Sequence, residues 1–172
     1  MIVGVDPGLD GAIVFVPEGV DRGSIPDIEI YDMPTVKIRK SKRAYDYAEI
    51  ERILFNPVVV EFVKAGLVVI EQTQPMPRGR NSQASHGLGL CEGLFRGLCL
   101  AGKCPHVLYR PKIWQKHFGI KKIKGDLKAQ SYQIASGLFP NTSLTGPRGG
   151  KKDGRTDALL IAEYGRVQFR AQ

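Results

Sequence analysis

Three acidic stretches of this 172-residue chain place carboxylates where apolar segments end or begin: "GVDPGLDGAI", "VVIEQ" and "KKDGRTDALLIAEY". Asp6 closes the apolar run Ile2 to Val5, and Glu71 closes Leu67 to Ile70. Asp153 and Asp157 stand just before and at the start of a C-terminal helical pattern. Singly, each acid has an ordinary explanation. Asp6 before Pro7-Gly8 is a good turn former, Arg78 and Arg80 are partners for Glu71, Lys151 and Lys152 balance Asp153, and Asp157 suits a helix cap. Together they form a set of hard oxygen ligands. If the first and fourth strands are neighbours in one sheet, Asp6 and Glu71 meet at its end and the helix start closes a third side. Clustered carboxylates repel one another unless a cation such as Mg2+ lies among them. Two such ions about 4 Å apart activate a water and stabilise the leaving oxygen of a phosphodiester.

The elements that must position these acids follow from periodicity. Ile2 to Val5 reads as a buried strand, Pro7-Gly8 and Gly11 as a tight turn, and Ala12 to Val16 as a returning strand. Ile28 to Met33 alternates apolar and polar residues as a third strand, and Pro34 opens a basic linker. Tyr45 to Phe55 has helical spacing, Pro57 breaks it, and Val58 to Lys64 continues as a second short helix. After the strand ending in Glu71, "TQPMPRGRNSQ" is a loop, and Ser82 caps a helix running to about Ala101. That helix carries Gly87, Gly89, Gly93 and Gly97, each costing up to about 1 kcal/mol relative to Ala. Gly89, Gly93 and Gly97 share a face that admits a neighbouring helix, a second subunit or a phosphate backbone. His106 to Tyr109 is a further strand, Pro111 opens a helix to about Phe118, and Leu127 to Leu138 is another helix. "FPNTSLTGPRGGKKDGR" has the composition of a mobile loop. "TDALLIAEYGRV" is a final helix with Ala158, Ile161, Ala162 and Tyr164 on its apolar face. The order predicts an α/β fold, a mixed sheet flanked by helices, as one domain over 1–172.

Composition narrows the partners. The chain is 42% hydrophobic and 24% charged, enough for a proper core. No apolar run approaches the length of a membrane span, and the first residues lack a basic region and cleavage site, so a cytoplasmic protein with no membrane partner is expected. Three cysteines form no Cys-x-x-Cys and read as reduced core residues; His86, His106 and His117 have no zinc-ligand spacing. A net charge of +8 and a pI near 9.5 point to a polyanion. The charge falls in clusters: Lys37, Arg39, Lys40, Lys42 and Arg43; Arg78 and Arg80; Arg110, Lys112, Lys116, Lys121, Lys122, Lys124 and Lys128; and Arg148, Lys151, Lys152 and Arg155. One such cluster is an ordinary solvated face, but four in loop-like segments favour nucleic acid.

The three acidic motifs in this order, with a basic Pro/Arg loop and a Gly-rich helix after the Glu, resemble the RuvC-type Holliday junction resolvases of the RNase H-like superfamily, particularly the shorter phage-type members. The likeness spans nearly the whole chain. It implies an RNase H-like mixed five-stranded sheet and a homodimer, in a bacterial or phage-infected cell, that binds four-way junction DNA. It also implies paired nicks made with Mg2+, for which Mn2+ substitutes, leaving 5′-phosphate and 3′-hydroxyl ends. On that resemblance Asp6, Glu71 and Asp157 match the metal-binding acids. In bacterial members the penultimate acid or histidine stands three residues before the last acid, where this chain has Gly154; Asp153, four before, is assigned in its place. The base-stacking aromatic after the Glu is absent, since Thr73, Gln74, Pro75 and Met76 occupy that stretch. Arg78 and Arg80 become phosphate contacts, joined by Lys112, Lys121, Lys122, Lys124, Lys151 and Lys152.

Two other classes compete. A non-catalytic DNA-binding or architectural protein suits the basic clusters equally well, and an RNase H-like nuclease acting on an RNA–DNA hybrid or another branched substrate keeps the same acids. A sugar-kinase-like ATPase shares an Asp-Gly strand turn but needs two such domains.

Overall fold

A computed structural model of the chain describes residues 1–19, 28–39, 42–55, 66–74, 82–122 and 126–170. In chain order the elements are β1 (Ile2–Asp6), β2 (Ala12–Val16), β3 (Glu29–Asp32), β4 (Thr35–Arg39), β5 (Lys42–Tyr45), α1 (Tyr47–Leu54), β6 (Leu67–Glu71), α2 (Ser82–Ala101), β7 (His106–Tyr109), α3 (Pro111–His117), α4 (Leu127–Leu138) and α5 (Asp153–Arg170). Five strands form a mixed sheet in the order β3-β2-β1-β6-β7. β1 pairs antiparallel with β2 and parallel with β6, in register from Ile2 opposite Leu67 to Val5 opposite Ile70. The ends of β1 and β6 therefore lie side by side.

The strand repeat of two sorts side chains onto two cores. Ile2, Ala12, Val14, Val16 and Val69 face α5, with Trp114 and Phe139 filling the same layer. Val3, Val5, Ile13, Phe15, Val68 and Ile70 face α1 and α2, against Ile50, Ile53, Cys91, Phe95 and Cys99. All three cysteines are buried and none is in a disulfide. Asp46 caps α1, its side chain accepting from the Glu49 amide, and Asp126 caps α4 through the Lys128 amide.

α5 is buried on nearly every side from Gly154 to Arg166, as befits a helix wrapped by other elements. Its seat on the sheet is very close. A Cβ added at Gly4 would lie 2.1 Å from the Ala158 carbonyl oxygen, and one at Gly165 would lie 2.2 Å from a Val69 methyl. A buried ion pair in this interior, Glu163 with Arg166, is bidentate at 2.6 and 2.8 Å.

Three expectations are corrected. The "basic linker" after Pro34 is the two-stranded ribbon β4–β5, whose lysines and arginines hide the β-branched residues Thr35, Val36 and Ile38 that favour a strand. The final helix begins at Asp153, so that residue belongs to its first turn. The segment before it is tied down: Thr145 bridges to Lys151, the Lys152 amide donates to Leu144, and Arg155 donates to the Ser143 and Thr145 carbonyls. Pro57 and the expected helix over 58–64 lie outside the described residues. So do Lys40, Met76, Arg78, Arg80, Lys124 and the side chain of Ser82. Nothing among the described residues comes within 4 Å of a Cβ built on Gly89, Gly93 or Gly97, so packing inside the described chain is not what those glycines serve.

Gly4→Ala is expected to destabilise the protein by about 1–3 kcal/mol through overpacking. Gly93→Ala, exposed in mid-helix, should be neutral or stabilising by up to about 1 kcal/mol. Denaturant midpoints of the two variants measure the contrast.

Candidate active site

Alternation carries Asp6 to the α5 side of the sheet, in step with Ile2 and Gly4, and Glu71 to the same side, in step with Leu67 and Val69. The start of α5 is pressed onto the turn after β1. A Cβ at Gly154 would lie 2.1 Å from the Asp10 carbonyl and 2.5 Å from the Gly11 Cα, and one at Gly11 would lie 2.1 Å from the Asp6 carbonyl. This stack of glycines leaves no room for an acidic side chain at position 154. It sets Asp157, one residue before the buried Ala158, beside the strand ends.

Each of these three acids is held by a different element. The Gly8 amide donates to Asp6 Oδ1 at 3.1 Å. Trp114 Nε1, from a ring that α3 buries, donates to Glu71 Oε2 at 2.9 Å. Ser131 of α4 lies beside Asp157 and favours its ionised form. Burial raises all three acids, and the charge of Asp6 adds to the rise at Glu71 and Asp157. Desolvation pushes Asp6 up to about 6, helped by Asp10. Glu71 is pushed up to about 8 by desolvation and then by the charge of Asp6, with Asp157 adding to it. Asp157 is pushed up to about 7 by desolvation, then by Asp6. The structure thus brings Asp6, Glu71 and Asp157 within electrostatic reach of one another.

Asp153 stands apart. It interacts with Asp157, but its carboxylate is paired with Lys128 Nζ at 2.5 Å on the exposed side of α4. Among the described residues, no three His, Cys, Asp or Glu side chains are grouped so as to hold one ion. The donor chemistry nonetheless fits a hard divalent cation: all oxygen, mutually repelling, and part-buried at the ends of rigid elements.

Sequence reasoning missed several residues here. Trp114 is the single tryptophan, set in the polar helix "PKIWQKH", and that contrast was its only signal. Glu92 of α2 accepts from both the amide and the hydroxyl of Thr73 at 2.7 Å, anchoring the chain two residues past Glu71. Tyr45 donates to the Pro7 carbonyl at 3.0 Å, clamping the turn beside Asp6. Cys91 lies near both Tyr45 and Asp6, its thiol pushed up to about 12 by burial.

The expected basic contacts lie on several elements. Lys112, Lys121 and Lys122 are exposed, and with Lys116 they line a hollow of about 290 Å³ beside α3. Lys151 lies over the Tyr132 ring at 4.4 Å, and Lys152 pairs with Asp32 at 3.5 Å. Arg155 is not a surface contact: it grips Asp32 in a bidentate pair at 2.6 and 3.1 Å, tying α5 to the end of β3.

Among solved structures, Thermus thermophilus RuvC is similar over 99% of this chain and 95% of its own, with a TM-score of 0.54 and 17% identity. T. thermophilus RuvC in complex with a Holliday junction substrate has the same coverage, a TM-score of 0.55 and 16% identity. The fold is that of RuvC. No protein-family model and no curated protein matches the sequence.

Two predictions follow from the geometry. Because the folded-state values of Asp6, Glu71 and Asp157 are raised above those of an unfolded chain, the native state holds extra protons between about pH 4 and pH 8. The stability of the metal-free protein should fall as pH rises through that window. Melting temperatures in EDTA at stepped pH measure the slope, which Glu71→Gln should flatten toward its upper end. Trp114→Phe removes the donor that favours ionised Glu71 and should steepen the loss of stability toward the upper end of that window, read from the same melting series.

Proposed function

We propose that this chain is a divalent-metal-dependent endonuclease that resolves four-way DNA junctions, a short phage-type relative of RuvC. The observation that carries the reading is the meeting of Asp6, Glu71 and Asp157 from β1, β6 and α5, in one corner that repels itself when ionised. The fold supports it, since RuvC has been solved with a Holliday junction substrate on the same architecture. So does the net charge of +8, with exposed lysines on and after α3, the helix whose Trp114 donates to Glu71.

Asp6, Glu71 and Asp157 would hold the metal, with Asp153 reaching it only by leaving Lys128. Bound Mg2+ or Mn2+ would supply charge neutralisation, an activated water and stabilisation of the leaving 3′-oxygen. The chain's own groups do the rest. Trp114, Ser131 and the Gly8 amide orient the carboxylates, and Glu92 holds Thr73 so that Glu71 keeps its place at the strand end. Lys112, Lys121 and Lys122 take backbone phosphates. Arg78, Arg80 and Lys124 join them on sequence grounds, and Lys151 and Lys152 extend the same basic side. Attack by water with departure of the 3′-oxygen leaves 5′-phosphate and 3′-hydroxyl ends.

Paired symmetric nicks require two such sites, hence a homodimer. The exposed face of α2 is suited to it, with Leu90 49% and Leu100 68% exposed beside open glycines. We place the single domain over 1–172 in the cytoplasm of a bacterial or phage-infected cell.

The test incubates pure protein with an immobile four-way junction, a matched duplex and an RNA–DNA hybrid, each with Mg2+ and with EDTA. Symmetric nicks in the junction alone, and only with Mg2+, are expected. Cutting of the hybrid instead moves the activity to another substrate with the same site. Binding without cutting favours an architectural protein. Asp6→Asn should bring cleavage below detection while junction affinity is kept or raised, because a ligand and a negative charge near phosphate are lost together.

A further inference from the structure

The ribbon β4–β5 stands apart from the main sheet and adds only Tyr45, at its base, to the core. It is a separate two-stranded sheet whose cross-strand partners include Lys37 with Arg43 and Arg39 with Lys42. Like charges directly opposite one another destabilise a strand pair, and an isolated hairpin is marginal at best. All four of these cations are exposed, and Val36 and Ile38 between them are 45% and 55% exposed. Arg43 meets Asp10 at 2.7 Å. Among the described residues no carboxylate pairs with Lys37, Arg39 or Lys42.

The base of the ribbon, by contrast, is anchored. Tyr45 is buried and donates to the Pro7 carbonyl at 3.0 Å, Arg43 Nη1 donates to the Leu9 carbonyl at 3.4 Å, and the Asp46 amide donates to Pro34 at 2.9 Å. Every one of the first two contacts falls on the turn that follows Asp6. A ribbon held rigidly at that turn, carrying opposed cations and exposed apolar side chains, is built to meet a polyanion beside the carboxylates.

We infer that β4–β5 is a second DNA-binding element, which grips the duplex arm next to the cleavage site. A two-stranded ribbon has the width of the B-DNA major groove, and its lysines and arginines relieve their mutual repulsion on phosphates. Val36 and Ile38 add apolar surface for contact with base methyl groups or sugars. The inference rests on the nucleic-acid part of the reading above, and not on junction selectivity or on cutting.

The experiment measures binding of a plain duplex and of a four-way junction in EDTA across a salt series. The parent is compared with a triple variant, Lys37→Ala, Arg39→Ala and Lys42→Ala, and with a control of equal charge change, Arg52→Ala, Arg96→Ala and Lys103→Ala. The ribbon variant should bind both DNAs about tenfold or more weakly, and its log K against log salt slope should fall by roughly two to three. The control should keep more of both. The melting temperature of the ribbon variant should be unchanged or higher, since opposed like charges have been removed. Equal affinity and slope in parent and ribbon variant, or equal losses in ribbon variant and control, overturn the inference. Loss confined to the ribbon variant in a protein that cuts no junction upholds the inference and overturns the resolvase reading; a parent that binds neither DNA overturns both.

Discussion

The close seat of α5 on β1 is the constraint from which the rest of the architecture follows. Gly4 faces the backbone of Ala158 and Ala162 with no room for a side chain, and Gly154 presses on Asp10 and Gly11 in the turn beyond β1. Interiors are close-packed, so a helix seated at such distances has little freedom to slide. Its first turn is therefore fixed over the C-terminal ends of β1 and β6. Arg155, gripping Asp32 at the end of β3, locks the same turn from the other side.

That placement has an electrostatic consequence. Three carboxylates on different elements share one part-buried corner, and each is pushed upward by loss of water and by its neighbours. An arrangement of this kind opposes folding at neutral pH unless something positive compensates it. Trp114, Ser131 and the Gly8 amide soften the repulsion without neutralising it, because a hydrogen bond supplies only part of a charge. Strained electrostatics that persist in a well-packed fold are a mark of functional sites.

The basic residues divide by role once the fold is known. Arg155 is a strut, Lys128 neutralises Asp153, Lys152 shares Asp32, and Lys151 stacks on Tyr132. The exposed lysines around the hollow by α3 and the cations of the β4–β5 ribbon are left facing solvent on elements that touch the corner. Position relative to the acids, more than the total of +8, is what makes these groups suited to a phosphate backbone.

By itself the sequence determined the sheet strands, most helices and the strand-end positions of Asp6 and Glu71, because period-two and helical patterns and Pro/Gly punctuation are local properties. It did not reveal the ribbon after Pro34, where charge masked the strand residues, nor the early start of α5 in a Gly/Lys-rich stretch, where packing on Gly11 overrides weak helix propensity. Only the tertiary structure decided that Glu71 is held by Trp114, that Glu92 anchors Thr73, that Asp153 turns to Lys128 and that Arg155 pairs with Asp32. Those contacts join residues far apart in the chain, so no local periodicity encodes them; they arise from the parallel pairing of β1 with β6 and the seat of α5 upon both.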